Sequence, residues 1–255
     1  MFSDIDGVKV HYLDTGGVNP VLLLLHGWGC RGGTYQEIIG SLSSRFRIIA
    51  PDLPGFGDSP EPSEAWGVGD YAALIKAFCE KLNLHNITFF GHSLGCRIII
   101  KLLADGRAES SVPQGKVVLT GAAGIKSRKS LPRKIKTCVF KTGKLFLKPF
   151  PRLFLKLQNR SGSADYRAAS PMMRSCLVKI VNEDLTPLLP GVDREVLLIW
   201  GENDDQTPLS DGLLMERKMP NAGLAVIKNA GHYAFFDQPE QFGRILDSYL
   251  GDKTL

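Results

Sequence analysis

The chain has 255 residues, 44% of them hydrophobic, and a net charge of +5. One large core fits that length and composition better than two independent domains. Five scattered cysteines (Cys30, Cys79, Cys96, Cys138 and Cys176) show no Cys-x-x-Cys spacing, which argues against a disulfide frame or zinc site and suits a reducing cytoplasm.

The first six residues have no basic start and no long apolar run, so no signal peptide is expected. The apolar stretches are strand-sized, too short to span a bilayer. Residues 8–12 alternate as a strand. Residues 20–25 form a second, all-apolar strand, left through His26-Gly27-Trp28-Gly29. The glycines there let backbone approach a substrate, and the Trp28 N–H is nominated as an oxyanion donor, against the alternative of a tight turn. His26 and Gly27 are candidate substrate contacts. Residues 71–82 have helical spacing.

Residues 86–90 are apolar and rich in strand formers, residues 96–104 suit a helix, and between them stands Gly91-His92-Ser93-Leu94-Gly95. A Gly-x-Ser-x-Gly on a strand-to-helix turn reads as a nucleophile elbow. The turn is too tight for a β-carbon on either flank. It exposes the Ser93 hydroxyl at a helix N-terminus, where developing negative charge is favoured. The Leu94 N–H is the first expected oxyanion donor. His92 is a further candidate substrate contact. Cys96 is read as a packing residue.

Strands and helices alternate as a parallel sheet demands up to the strand at 116–121, and then the pattern breaks. Residues 125–185 read as an inserted helical lid. Between Lys126 and Arg160 stand twelve Lys or Arg residues and no Asp or Glu, so the rest of the chain sums to −7. Apolar residues at three- and four-residue spacing mark amphipathic helices there, divided by Pro149 and Pro151. Two readings stand: helices with solvated outer faces, or a cationic surface that meets an anionic substrate or an anionic membrane. No motif supports nucleic-acid binding. Residues 161–167 are polar, either the mobile part of the lid or a turn, with Tyr166 and Arg167 candidate substrate contacts.

The alternation resumes with a strand at 195–201, followed by Asp204 in a loop flanked by Glu202 and Asp205. A helix at 211–218, a strand at 224–227, a loop ending in His232 and a helix at 239–250 close the chain. A serine hydroxyl needs a base, and the base an orienting acid. Ser93, Asp204 and His232 supply these in order from three strand ends. Asp205 and Glu202 are the alternatives for the acid. His26 and His92 precede or adjoin the serine and so do not fit the base role. His11 and His85 read as ordinary surface positions.

Taken together, the loop His26–Gly29, the segment Asp52-Leu53-Pro54-Gly55-Phe56-Gly57-Asp58-Ser59, the elbow, the acid loop and Ala230-Gly231-His232 resemble the α/β-hydrolase superfamily, in its serine-nucleophile, lid-containing, esterase- and lipase-like branch. The resemblance implies a sheet of about eight mostly parallel strands flanked by helices. It also implies a core of residues 1–124 and 186–255 with the lid at 125–185, a structural role for Asp52 in holding its loop to Ser59, and no metal or organic cofactor. Ser93 stands where the superfamily's epoxide hydrolases and dehalogenases carry aspartate, which counts against both. The expected activity is hydrolysis of a carboxylic ester or thioester small molecule with hydrophobic parts, in the cytoplasm. Carbon–carbon bond hydrolysis and a non-catalytic receptor role on the same fold are the alternatives.

Overall fold

A computed structural model describes residues 1–104, 115–126 and 163–251 of the chain. The strands are β1 (Phe2–Ile5), β2 (Val8–Asp14), β3 (Val21–Leu25), β4 (Arg47–Pro51), β5 (Thr88–His92), β6 (Val117–Thr120), β7 (Val196–Gly201) and β8 (Ala222–Ile227). They form one sheet in the order β1-β2-β4-β3-β5-β6-β7-β8. The β1–β2 and β2–β4 pairs are antiparallel and all later pairs parallel. The parallel strands β5, β7 and β8 therefore end at the same edge.

The described helices are α1 (Gln36–Leu42), α2 (Val68–Lys81), α3 (Leu94–Ala104), α4 (Ala164–Ala168), α5 (Pro171–Asn182), α6 (Leu209–Lys218), α7 (Ala234–Asp237) and α8 (Pro239–Leu250). They cover both faces of the sheet, which is why the central strands read as unbroken apolar runs. In β3, Leu23 and Leu25 face the core beneath α2, α3 and α5, while Leu22 and Leu24 face the core beneath α1 and α8. Phe89 and Phe90 of β5 divide in the same way. Full burial of each such side chain is worth about 1.5–3 kcal/mol.

Two features differ from the expectation. Strand β1 was not read from the sequence. It pairs with β2 across Asp6-Gly7, both at positive φ (50° and 84°), the turn that an Asp-Gly pair specifies in a hairpin. Residues 161–167 were read as a turn or mobile segment; from Ala164 onward they are helical, because the Ser163 hydroxyl caps α4 by accepting from the Tyr166 N–H.

The basic amphipathic stretch at 127–162 lies outside the described residues. The rest of the expected insertion is tied to the core. Met173, Cys176 and Ile180 of α5 are buried in the same cluster as α2 and α3. The buried guanidinium of Arg97, on α3, donates from one nitrogen to the carbonyls of Ile180 (2.9 Å) and Glu183 (3.0 Å), satisfying the last turn of α5. Lys101 adds an ion pair to Glu183 at 3.0 Å. Among the described residues no helix is long and apolar enough to cross a membrane.

Candidate active site

The elbow forms where β5 meets α3. Ser93 takes φ 49°, a left-handed backbone that costs a non-glycine residue free energy and is held only by its surroundings. Those surroundings are visible. The Ser93 N–H donates to the Thr120 carbonyl of β6 at 3.2 Å, and its own carbonyl accepts from Ala123 and Arg97, each at 3.4 Å. A β-carbon on Gly95 would run into the Leu25 carbonyl, so only glycine lets α3 start this close to β3. Leu94 is the first residue of α3, so its N–H is among those that the helix itself leaves without a partner. The loop after β3 lies against the same place: a β-carbon on Gly27 would stand 3.4 Å from the Ser93 β-carbon. Trp28, half-buried in that loop, meets Phe56 edge-on at 4.9 Å.

Asp204 and His232 come together from the loops after β7 and β8. The His232 Nδ1–H donates to Asp204 Oδ2 at 2.8 Å, and both side chains are buried. That bond assigns the proton to Nδ1 and leaves Nε2 as the unprotonated nitrogen. Asp204 also accepts from the Gln206 N–H (2.9 Å), the Thr207 N–H (2.8 Å) and the Thr207 hydroxyl (2.7 Å). Burial pushes the Asp204 carboxyl up, but His232 and the Thr207 donors outweigh it and hold it below the usual carboxylate value. The neighbouring acids Glu202 and Asp205 are exposed and make no such contact. Gly121, at φ 50°, leaves the room: a β-carbon there would come within 3.1 Å of both Nδ1 and the carbonyl of His232.

Three residues in this constellation were not singled out from the sequence. Thr207 holds Asp204. Asp237, in α7, accepts from the Gly231 N–H at 2.7 Å and pins the loop that carries His232. His11 was read as a surface residue, yet its Nδ1 lies 2.8 Å from Asp52 Oδ2. Asp52 also accepts from Gly32 (2.7 Å) and Asp58 (3.0 Å), so it ties the segment after β3 to its own loop, and its backbone carbonyl accepts from the Ser59 hydroxyl. By donor type, His11, Asp52 and Asp58 are the one described group suited to a metal ion. The backbone and imidazole bonds to Asp52 already account for its burial.

The candidate contacts divide. His26 is a correction: it is fully buried, its Nε2 accepts from Leu53 (2.9 Å) and its Nδ1–H donates to the Gly27 carbonyl (2.7 Å), so no polar atom is left for a substrate. It joins the β3 loop to the segment after β4. His92 is also fully buried, with its Nε2–H on the His232 carbonyl at 3.1 Å. Tyr166 is half-buried on α4, with the Arg174 guanidinium over its ring at 5.4 Å. Cys96 is buried, its thiol donates to the Thr120 carbonyl, and burial pushes its pKa far up.

A largely parallel sheet with a strained serine between strand and helix, and an acid–histidine pair in the loops after β7 and β8 at the same edge, defines the α/β-hydrolase class. The chain belongs to the Alpha/beta hydrolase family, whose sequence model matches residues 22–245. It is 27% identical to a pimeloyl-[acyl-carrier protein] methyl ester esterase of Nitrosomonas europaea, over 93% of this chain and 98% of that protein. It is 24% identical to a 2-hydroxy-6-oxononadienedioate/2-hydroxy-6-oxononatrienedioate hydrolase of Pseudomonas putida, over 97% and 93%. Among solved structures, an esterase from Exiguobacterium antarcticum shares the fold at a TM-score of 0.75 with 24% identity, covering 97% of this chain and 98% of that one.

Replacing Thr207 by the isosteric Val removes one donor from a buried carboxylate. A loss of about 1–3 kcal/mol in urea-unfolding free energy at pH 7 is expected; an unchanged value would mean that Thr207 is not holding Asp204.

Burial depresses His26 to about 4 and His92 to about 3, the latter also by the neighbouring His232. Both lie below the unfolded value near 6.5, so the unfolded chain takes up their protons first. Their contribution to stability is whole above about pH 6.5, declines as pH falls, and levels off below the folded values. Urea unfolding from pH 7.5 to 4.5 should show no loss from these groups above about pH 6.5 and, below it, stability falling by about 1.4 kcal/mol per pH unit for each buried histidine; a flat profile below about pH 6.5 would contradict their burial in neutral form.

Proposed function

We propose that the chain is a serine hydrolase of carboxylic esters or thioesters working through an acyl-enzyme on Ser93. The observation that carries this reading is the buried hydrogen bond from His232 Nδ1 to Asp204, set beside a serine whose backbone is held in the left-handed region. In the mechanism, Ser93 Oγ attacks the carbonyl carbon while His232 Nε2 takes the hydroxyl proton. Asp204 holds the tautomer and offsets the charge of the imidazolium. The N–H groups of Leu94 and Trp28 receive the oxyanion. The imidazolium returns its proton to the leaving alkoxide or thiolate. Water, deprotonated by His232, then attacks the acyl carbon, and the imidazolium returns that proton to Ser93 Oγ as the acid leaves.

The substrate side rests on composition and kinship. Trp28, Ile125, Ala169 and Leu209 are half-buried apolar residues packed against the core cluster that includes Leu94 and Cys96 of α3, which favours an acyl group with hydrophobic parts. The insertion at 125–185 is the proposed lid, with Tyr166 as its candidate contact. The twelve cations between Lys126 and Arg160 suit an anionic substrate or an anionic membrane surface, and the Nitrosomonas relative is named for an acyl group borne on an acyl-carrier protein. Carbon–carbon bond hydrolysis is the second reading, supported by the full-length likeness to the Pseudomonas putida hydrolase.

Hydrolysis of p-nitrophenyl esters from acetate to palmitate should occur and should fall by roughly 10⁴-fold or more in Ser93→Ala. The preferred chain length reports the depth of the acyl site. Equal turnover in Ser93→Ala would refute the assignment, and turnover confined to vinylogous diketones would favour the second reading.

A further inference from the structure

His92 is a fully buried titratable group for which the mechanism has no use. It directly precedes Ser93 and lies within a shell of rings: His232 at 4.7 Å, Tyr233 at 4.9 Å, Phe235 at 5.2 Å and Tyr35 at 6.2 Å. Its Nε2–H donates to the backbone carbonyl of His232. Its Nδ1 has no hydrogen-bond partner among the described residues and points at Gly27, where a β-carbon would stand 2.7 Å away.

A site chosen for packing alone would not hold this residue. An apolar ring of the same size would fill the shell without burying an unpaired nitrogen. The one polar atom of His92 that meets a partner is the Nε2–H, and its partner is the main chain of the proposed base. One ring thus touches the nucleophile strand, the base loop and the oxyanion loop.

We propose that His92 is a positioning residue, which fixes the main chain of His232 so that the imidazole, held at Nδ1 by Asp204, has its second nitrogen aimed at Ser93. Two anchors are needed because a single hydrogen bond at Nδ1 leaves the ring free to swing about it. Burial keeps His92 neutral down to about pH 3, so it remains a donor when His232 takes up the serine proton. The inference rests on the triad reading above.

The test compares His92→Gln, whose side-chain amide can reach the position of Nε2, with His92→Asn, whose amide stops near Nδ1. Both are assayed on the best p-nitrophenyl ester, with folded fraction taken from thermal unfolding. The expected result is kcat within about five-fold of wild type for the Gln variant. For the Asn variant, kcat should fall by about 10- to 100-fold with KM within about two-fold, the pattern of a misplaced catalytic group in an intact binding site. Equal kcat in the two variants, or a loss residing in KM, overturns the proposal. Should His92→Asn fail to fold, His92→Gln decides alone: a loss above about 30-fold in kcat overturns the proposal, and retention within five-fold supports it. Ser93→Ala keeps the two assignments apart, since persistent turnover there refutes the triad, whereas abolished turnover beside an unaffected His92→Asn refutes only the role of His92.

Discussion

The chain must reverse at Ser93 within one residue, and much of the site is organised around that reversal. A left-handed serine is unfavourable in isolation. It persists because β6 accepts its N–H and because α3 is packed against β3 at a glycine with no room for a side chain. The strain is balanced by the apolar contacts of a sheet buried on both faces. The consequence is chemical. Ser93 stands half-buried where β5 ends, α3 begins at the next residue, the β3 loop lies against it at Gly27, and the Asp204–His232 pair follows β7 and β8 at the same edge.

Polar groups below that edge follow one rule: a neighbouring backbone or carboxylate group decides which nitrogen of each buried histidine carries the proton. His26 accepts at Nε2 and donates at Nδ1, His92 donates at Nε2, and His232 donates at Nδ1 to Asp204. Three histidines of one chemistry thereby acquire three environments. His26 is spent on joining two loops, and His92 on the main chain of His232. Of these three, His232 is the one paired through Nδ1 with an acid, which leaves its Nε2 unprotonated. Arg97 extends the same logic outward, since the helix that begins at the elbow also holds the end of α5.

The fold was legible because its signals are local. Apolar runs such as Val21–Leu25 state that a strand is buried on both faces, and Gly91–Gly95 between a strand and a helix states how the chain turns. The order of Ser93, Asp204 and His232 could be read because each follows a recognisable strand. Contacts between distant segments were not legible. Nothing near His11 in sequence announces Asp52, 41 residues away. His26 looked like a substrate contact because it opens a glycine-containing loop that allows close backbone approach, whereas tertiary packing gives both its nitrogens to backbone. Thr207 was missed because a threonine before a proline carries no signal until Asp204 is seen folded back on it. The Asp6-Gly7 pair is itself a local hairpin signal, and β1 is short because only Phe2–Ile5 precede it.

The central claim is that Ser93 is the nucleophile, and the most direct measurement is the site of covalent labelling by a fluorophosphonate. The folded protein is treated with the reagent, digested and sequenced by mass spectrometry. The account predicts a single adduct on Ser93, formed at neutral pH and blocked by prior heat denaturation. An adduct on another residue, or an active preparation that takes up none, would contradict it.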